Sequence, residues 1–250
     1  MELSGILLLS CLILIVAILY SSVGHGGASG YLAVLSFFAF STQEMATTAL
    51  ILNIFVSGIS FYSYMKAGHF SLSFTLPFII ASIPFAFIGG MLHVTNKLYF
   101  LLLTLVLLVA AFRMAISLQG DNNEDMKSRG RFPAFISGSS IGLLSGIVGV
   151  GGGIFLSPFI ILMKWANPKV TAGTSAFFIL ANSISGLTGR FISGNAEVGS
   201  LFPLVIASFI GGLVGSHLGA NILTSLTIRR LLAIVLIIAS IKALIRFLGI

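Results

Sequence analysis

The sequence predicts an all-α polytopic membrane protein of two repeated halves, each with about four to five helical segments, the second half inverted and glycine-broken helices near the centre. Three observations predict it. Of 250 residues, 57% are hydrophobic and 8% charged, where soluble domains carry about 25% charged residues. The apolar residues are gathered into runs close to the ~20 residues that a spanning helix needs. The second half also repeats the first at a nearly constant offset.

The segments follow in order. Ser4 to Tyr20 is apolar and begins without the basic residues of a signal peptide, so it reads as a retained helix. A glycine-rich break runs from Gly24 to Gly30, and a short apolar run from Tyr31 to Phe40 follows it. Ser41-Thr42-Gln43-Glu44 has the spacing of a capping box, in which the first hydroxyl and the fourth carboxylate satisfy each other's backbone N–H. Met45–Met65, Phe70–Leu92 and Leu98–Leu118 are the next three segments. Residues 119–132 are hydrophilic and form the linker between a first transmembrane repeat, 1–118, and a second, 133–250.

The repeat is legible at its glycine clusters. Val23-Gly24-His25-Gly26-Gly27-Ala28 matches Val148-Gly149-Val150-Gly151-Gly152-Gly153 at an offset of 125, and Ser57-Gly58 matches Ser185-Gly186 at 128. Gly68 to Leu92 aligns with Gly194 to Leu218 at 126, sharing Pro77/Pro203, Ser82/Ser208 and Gly89/Gly215 among others. Counting five crossings per half puts most Lys and Arg residues on one side of the membrane, as orientation by positive loops prefers. An odd count inverts the second half and leaves both termini outside the cytoplasm.

Composition also excludes functions. No room remains for a soluble catalytic or nucleotide-binding domain. The net charge of +7 is the excess of 13 Lys and Arg over 6 Asp and Glu, and the basic residues are scattered between apolar runs, which sets orientation rather than a nucleic-acid surface. Cys11 is the one cysteine, so disulfides and thiolate metal sites are excluded. Gly149-Val150-Gly151 is followed by Ile154 at the sixth position, with no surrounding βαβ pattern, so no dinucleotide cofactor is expected.

The breaks are the candidate site. In hydrocarbon, unwound backbone is tolerated only where protein or a water-filled cavity covers it, and paired broken helices are how many secondary transporters build a midplane site. A helix starting after each break directs free N–H groups and a positive dipole end toward that cavity. Gly24, Gly26, Gly27, Gly149, Gly151, Gly152 and Gly153 are therefore candidate substrate contacts for a small anion. Isolated glycines such as Gly89, Gly90, Gly211 and Gly212 read instead as close-packing positions. Thr47, Thr48, Thr174 and Ser175 offer hydroxyl donors early in the third segment of each half. Asn53 and Asn182 lie farther along, where an unpaired amide in lipid is costly. His25 is the ionisable group inside a break and suits a proton-coupled step. Arg190 ends a segment, where it can draw anions inward or anchor at the interface.

Gly149-Val150-Gly151-Gly152-Gly153-Ile154-Phe155-Leu156-Ser157-Pro158, followed by Thr171-Ala172-Gly173-Thr174-Ser175-Ala176, resembles the signature of the sulfite exporter TauE/SafE family. The resemblance implies about eight transmembrane helices, a prokaryotic cytoplasmic membrane, and transport of small sulfur-containing anions such as sulfite, sulfonates or sulfoacetate. The chain departs from the motif at His25 in the first copy, and it has Ala33 where the second copy has Pro158.

The expectation is a secondary transporter working by alternating access, with proton coupling in place of an ATP-binding motif. The sequence does not distinguish a monomer from a homo-oligomer. A passive anion channel is the alternative. An intramembrane serine protease is a weaker one, since Gly27-Ala28-Ser29-Gly30 has the GxSG form and His217 can serve as its base, yet the second copy carries Ile154 where Ser29 stands.

Overall fold

The computed structural model describes residues 3–38, 40–95, 97, 98, 101, 104, 105, 108, 130–199 and 202–224, with single positions 227, 230, 234, 237, 241, 244 and 245. Most of the Leu98–Leu118 segment, the linker up to residue 129 and most of the last segment lie outside the described residues.

Among the described residues every regular element is helical. We label them α1 (Leu3–Ser21), α2 (Ala28–Leu35), α3 (Thr42–Lys66), α4 (Leu72–Met91), α5 (Arg131–Val148), α6 (Gly153–Leu162), α7 (Pro168–Ile192) and α8 (Phe202–His217), the last running into a π-helical turn, Leu218–Ile222. Ser4–Ser21, Thr42–Lys66, Leu72–Met91, Pro168–Ile192 and Phe202–Ile222 are each long and apolar enough to cross a membrane.

Capping sets where the two central helices begin. Ser41 Oγ accepts from the Glu44 N–H at 3.0 Å while the Ser41 N–H donates to Glu44 Oε2 at 3.3 Å, which completes the expected capping box. Asn167 Oδ1 accepts from the Val170 N–H at 2.9 Å, and Pro168 takes the first helical position, where its missing N–H costs nothing. Both α3 and α7 are 25 residues long, and they start 126 residues apart. In this register Ser57 is level with Ser183, not Ser185, and Asn53 is level with Ile179.

Close approaches at small residues give the helix directions. Gly58 faces Leu180 and Gly186 faces Leu50, so α3 and α7 run antiparallel. Gly211 packs against Leu14 and Ala17, Gly215 against Ile18 and Gly219 against Ser22, so α8 runs parallel to α1. Gly138, Gly142 and Gly146 meet Phe78, Ser82 and Ala86 in turn, which makes α5 parallel to α4. Backbones approach this closely only where no Cβ intervenes, and such packing is what holds helices together in lipid.

α3 also runs parallel to α8, with Gly212 beside Val56 and Ser63 Oγ 3.0 Å from Ser216 Oγ. α1 and α3 therefore point the same way, and the chain between them must return. The eight residues of α2 span about 12 Å, far short of the ~30 Å hydrocarbon core. The unwound stretch before α2 makes up part of the return. The post-break runs thus carry the chain back without forming full spanning helices.

The exterior is apolar and the interior holds the polar groups. Leu7, Ile80, Ile88, Ile210 and Phe202 are exposed, whereas Thr47, Thr48, Asn53, Ser57 and Ser60 are fully buried along α3. Lipid rewards this inversion of the soluble pattern only if buried polar atoms find partners or line a cavity.

Candidate functional site

Both glycine breaks are left-handed turns. Gly24 and Gly27 have φ of 75° and 97°, and Gly149, Gly151 and Gly152 have φ of 79°, 74° and 82°. L-residues enter this region at a cost of about 1–2 kcal/mol, which explains why glycine occupies it. Each break then lies against the central helix of the other half. Gly24 packs on the Ala172 backbone of α7, and Gly149 packs on Ala46 of α3. The contact is reciprocal: Ala46 and Ala172 are 126 residues apart, as are the starts of their helices.

Asn53 joins the two breaks. Its Oδ1 accepts from the Ala28 N–H at 3.1 Å, capping α2, and its Nδ2 donates to the Val150 carbonyl at 3.3 Å and to Ser183 Oγ at 3.4 Å. A Cβ added to Gly26 would collide with the Asn53 amide, and one added to Gly151 would lie 2.7 Å from Asn53 Nδ2 and from Ile179 Cγ2. The breaks are therefore narrow, and their glycines leave space that any side chain would fill.

A second connection crosses between halves. His25 Nε2 lies 2.8 Å from Ser157 Oγ of α6, and Ser157 Oγ lies 2.7 Å from Ser175 Oγ of α7. All three side chains are buried. The result is a chain of imidazole and two hydroxyls running from the first break to the second half's central helix. Hydroxyls turn to donate or accept as needed, so the chain can pass a hydrogen bond in either direction.

The other expected residues are placed around this centre. A Cβ added to Gly153 would meet Ile179 and lie 3.4 Å from His25 Cδ2, whereas Gly27 faces the Tyr31 ring and Gly152 faces Phe178 and Ile141. Thr174 turns the other way, its Oγ1 lying 3.2 Å from Thr75 Oγ1 of α4. Thr47 and Thr48 are fully buried, and among the described residues their hydroxyls make no hydrogen bond. Asn182 is also fully buried, with neither amide atom hydrogen-bonded among the described residues. It stands three positions from Ile179, about 60° around the helix from the break-facing side.

Arg190 is not at the centre. It is 5% exposed, near the far end of α7, about 10 Å along the helix from Ser183. Its guanidinium donates to the Gly146 and Ile147 carbonyls, at 3.2 and 2.7 Å. A cavity of about 320 Å³ opens there, lined among others by Ser41, Gln43, His93, Arg190 and Asn195.

Sequence reasoning did not single out Ser157, Ser183 and Ile179 as site residues. Ser157 was visible as the one hydroxyl among the apolar residues of α6. Ile179 carried no signal, because an apolar residue in an apolar helix is the default.

The GxSG serine is engaged elsewhere. Ser29 Oγ lies 2.7 Å from Tyr20 OH, while His217 is exposed with its Nδ1 3.3 Å from Asn221 Nδ2. Neither contact joins a nucleophile to a base.

Comparison with known proteins gives one consistent result. Residues 9–243 match the model of a family described as sulfite exporter TauE/SafE. A probable membrane transporter protein, y4hK, of Sinorhizobium fredii is 35% identical over 92% of this chain and 94% of its own length. YunE, a probable membrane transporter protein of Bacillus subtilis, is 28% identical over 87% of this chain and 89% of its own. A probable membrane transporter protein of Methanocaldococcus jannaschii is 28% identical over 89% of each chain. No solved structure matches the chain significantly.

Proposed function

The chain belongs to the sulfite exporter TauE/SafE family, a multi-pass membrane transporter of a prokaryotic cell membrane, and from that premise we propose that it carries a small, sulfur-containing oxyanion by alternating access. The observation that carries the proposal is the meeting of both glycine breaks at Asn53, with the hydroxyl chain of Ser157 and Ser175 beside it.

An oxyanion of this size needs several donors. Here the donors are neutral: the first-turn N–H groups of α6, two hydroxyls and an imidazole. First-turn N–H groups have no intrahelical carbonyl partner and sit at the positive end of the helix dipole. Out of water such donors hold an anion that a surface site would lose to solvent. Neutral donors also release it again, as a carrier must. The antiparallel α3 and α7, each gripping the other half's break, support two bundles that rock about the centre, as inverted repeats do.

His25 is the group suited to proton coupling, because the imidazole both holds a proton and contacts the hydroxyl chain. A sulfite, sulfonate and sulfoacetate panel tests the reading, binding being measured by calorimetry on purified parent, Ser157→Ala and Gly151→Ala. The expected result is saturable binding of one class by the parent and at least about tenfold weaker binding by each folded variant, the loss of roughly one charge-assisted hydrogen bond. Undiminished binding by both variants would refute the cradle. In proteoliposomes, flux that ignores an imposed proton gradient and never accumulates substrate would identify a channel.

A further inference from the structure

Two side chains hold the ends of the break-bearing helices, and they occupy the same place in their own helices. Tyr64 OH donates to the Ser22 carbonyl at 2.8 Å, at the end of α1. Arg190 donates to the Ile147 carbonyl at 2.7 Å, at the end of α5. Tyr64 and Arg190 are each the 23rd residue of a 25-residue helix. Ser22 and Ile147 each stand two residues before the first glycine of a break. Both donors are buried.

The carbonyls at a helix C-terminus have no intrahelical donor. In hydrocarbon such a carbonyl must find a protein partner, or else water must reach it. We propose that Tyr64 and Arg190 are positioning residues for transport, paired latches at the two ends of the path, each released only on the side that water has entered. This rests on the reading that the breaks line the transport path. It goes beyond that reading by assigning the opening of each end to one contact. When Tyr64 lets go, the Ser22 carbonyl turns to water from that end, while the Arg190 contact keeps the other end closed to solvent. The converse follows at the other end.

The two ends differ in a way that fits separate latches. Gly219 packs directly on the Ser22 carbonyl and Tyr64 OH, so the Tyr64 end is filled by backbone. The position 126 residues earlier is His93, which lines the 320 Å³ cavity together with Ile147 and Arg190. The Arg190 end thus keeps space beside its latch.

Sided thiol labelling tests the proposal without needing the substrate. In a Cys11→Ser background, Ser22→Cys and Ile147→Cys report the two ends to a membrane-impermeant maleimide applied to proteoliposomes from either side. With Tyr64→Phe, labelling of Ser22→Cys should rise about fivefold and labelling of Ile147→Cys should fall, the population shift that one net hydrogen bond supports. With Arg190→Met, which has no donor, the two changes should reverse, and Arg190→Lys, which still donates, should restore most of the parent pattern. A reciprocal response supports the latches. A rise at both ends marks general loosening and overturns the proposal, as does no change at either. Since no anion is present, reciprocal labelling can succeed even if the anion-binding panel fails, and the two readings are judged separately.

Discussion

Asn53 of α3 donates to the Val150 carbonyl of the second glycine break while its other amide atom caps the helix that follows the first. One side chain therefore holds the registration of two irregular segments that begin 125 residues apart, at Gly24 and Gly149. Two of the groups it satisfies, the Ala28 N–H and the Val150 carbonyl, are backbone atoms buried in the protein, where a lost partner is costly.

Asn53→Leu should accordingly destabilise the protein by roughly 2–4 kcal/mol, since a buried N–H and a buried carbonyl are left unmade at once. Thermal unfolding in detergent measures it. A Leu variant as stable as parent would show that the bridge is dispensable.

Two glycines with similar φ separate strain from crowding. Gly68 has φ of 78° with nothing within 4 Å of an added Cβ, while Gly24 has φ of 75° and an added Cβ would lie 2.6 Å from the Ala172 Cα. Gly68→Ala should cost about 1–2 kcal/mol from backbone strain alone. Gly24→Ala adds a collision with backbone and should cost several kcal/mol, visible as loss of monodisperse protein on size exclusion. Equal effects would mean that the α7 contact is looser than the structure places it.

Ser157 and Thr174 test which hydroxyls serve the substrate. Ser157 links His25 to Ser175, whereas Thr174 bonds to Thr75 of α4. Ser157→Ala should weaken anion binding and, with its contacts to His25 and Ser175 both lost, also lower stability by about 1–2 kcal/mol. Thr174→Ala should lower stability by about 1 kcal/mol and leave binding as in the parent. The opposite assignment of effects would move the site toward α4.

His69, in the turn between α3 and α4, supplies a pH prediction. Its pKa is lowered from 6.5, first by burial and then by the Lys169 charge, with a hydrogen bond to the Ala220 carbonyl acting the other way. The folded protein therefore resists the proton that the unfolded chain accepts. This contribution to stability is intact above about pH 6.5 and declines as pH falls from there toward the lowered folded value. His69→Gln should flatten melting temperature against pH across that window. A slope unchanged in the variant would assign the dependence to another group.

Much of this was legible from residue order. The capping box at Ser41 and Glu44 and the two glycine clusters each depend on a few neighbouring residues, so local chemistry decides them. The breaks' partners were not legible. Asn182 reads like Asn53 in one dimension, yet Ile179 is the residue level with Asn53, because three positions along a helix turn a side chain by about 60°. Arg190 reads as an anion contact or an interface anchor, and in the fold its guanidinium donates to the carbonyls at the end of α5.

By itself the sequence determined the class: too apolar and too poor in charge for a water-soluble domain, and interrupted by glycine where a helix must unwind. Its near-constant offset also pointed to two halves. Tertiary structure alone decided that each break lies on the other half's central helix, that Asn53, and not Asn182, joins them, and that Tyr64 and Arg190 hold the two ends. Those relations depend on which helix faces align across more than a hundred residues of chain, and packing in three dimensions sets that alignment, not any local pattern.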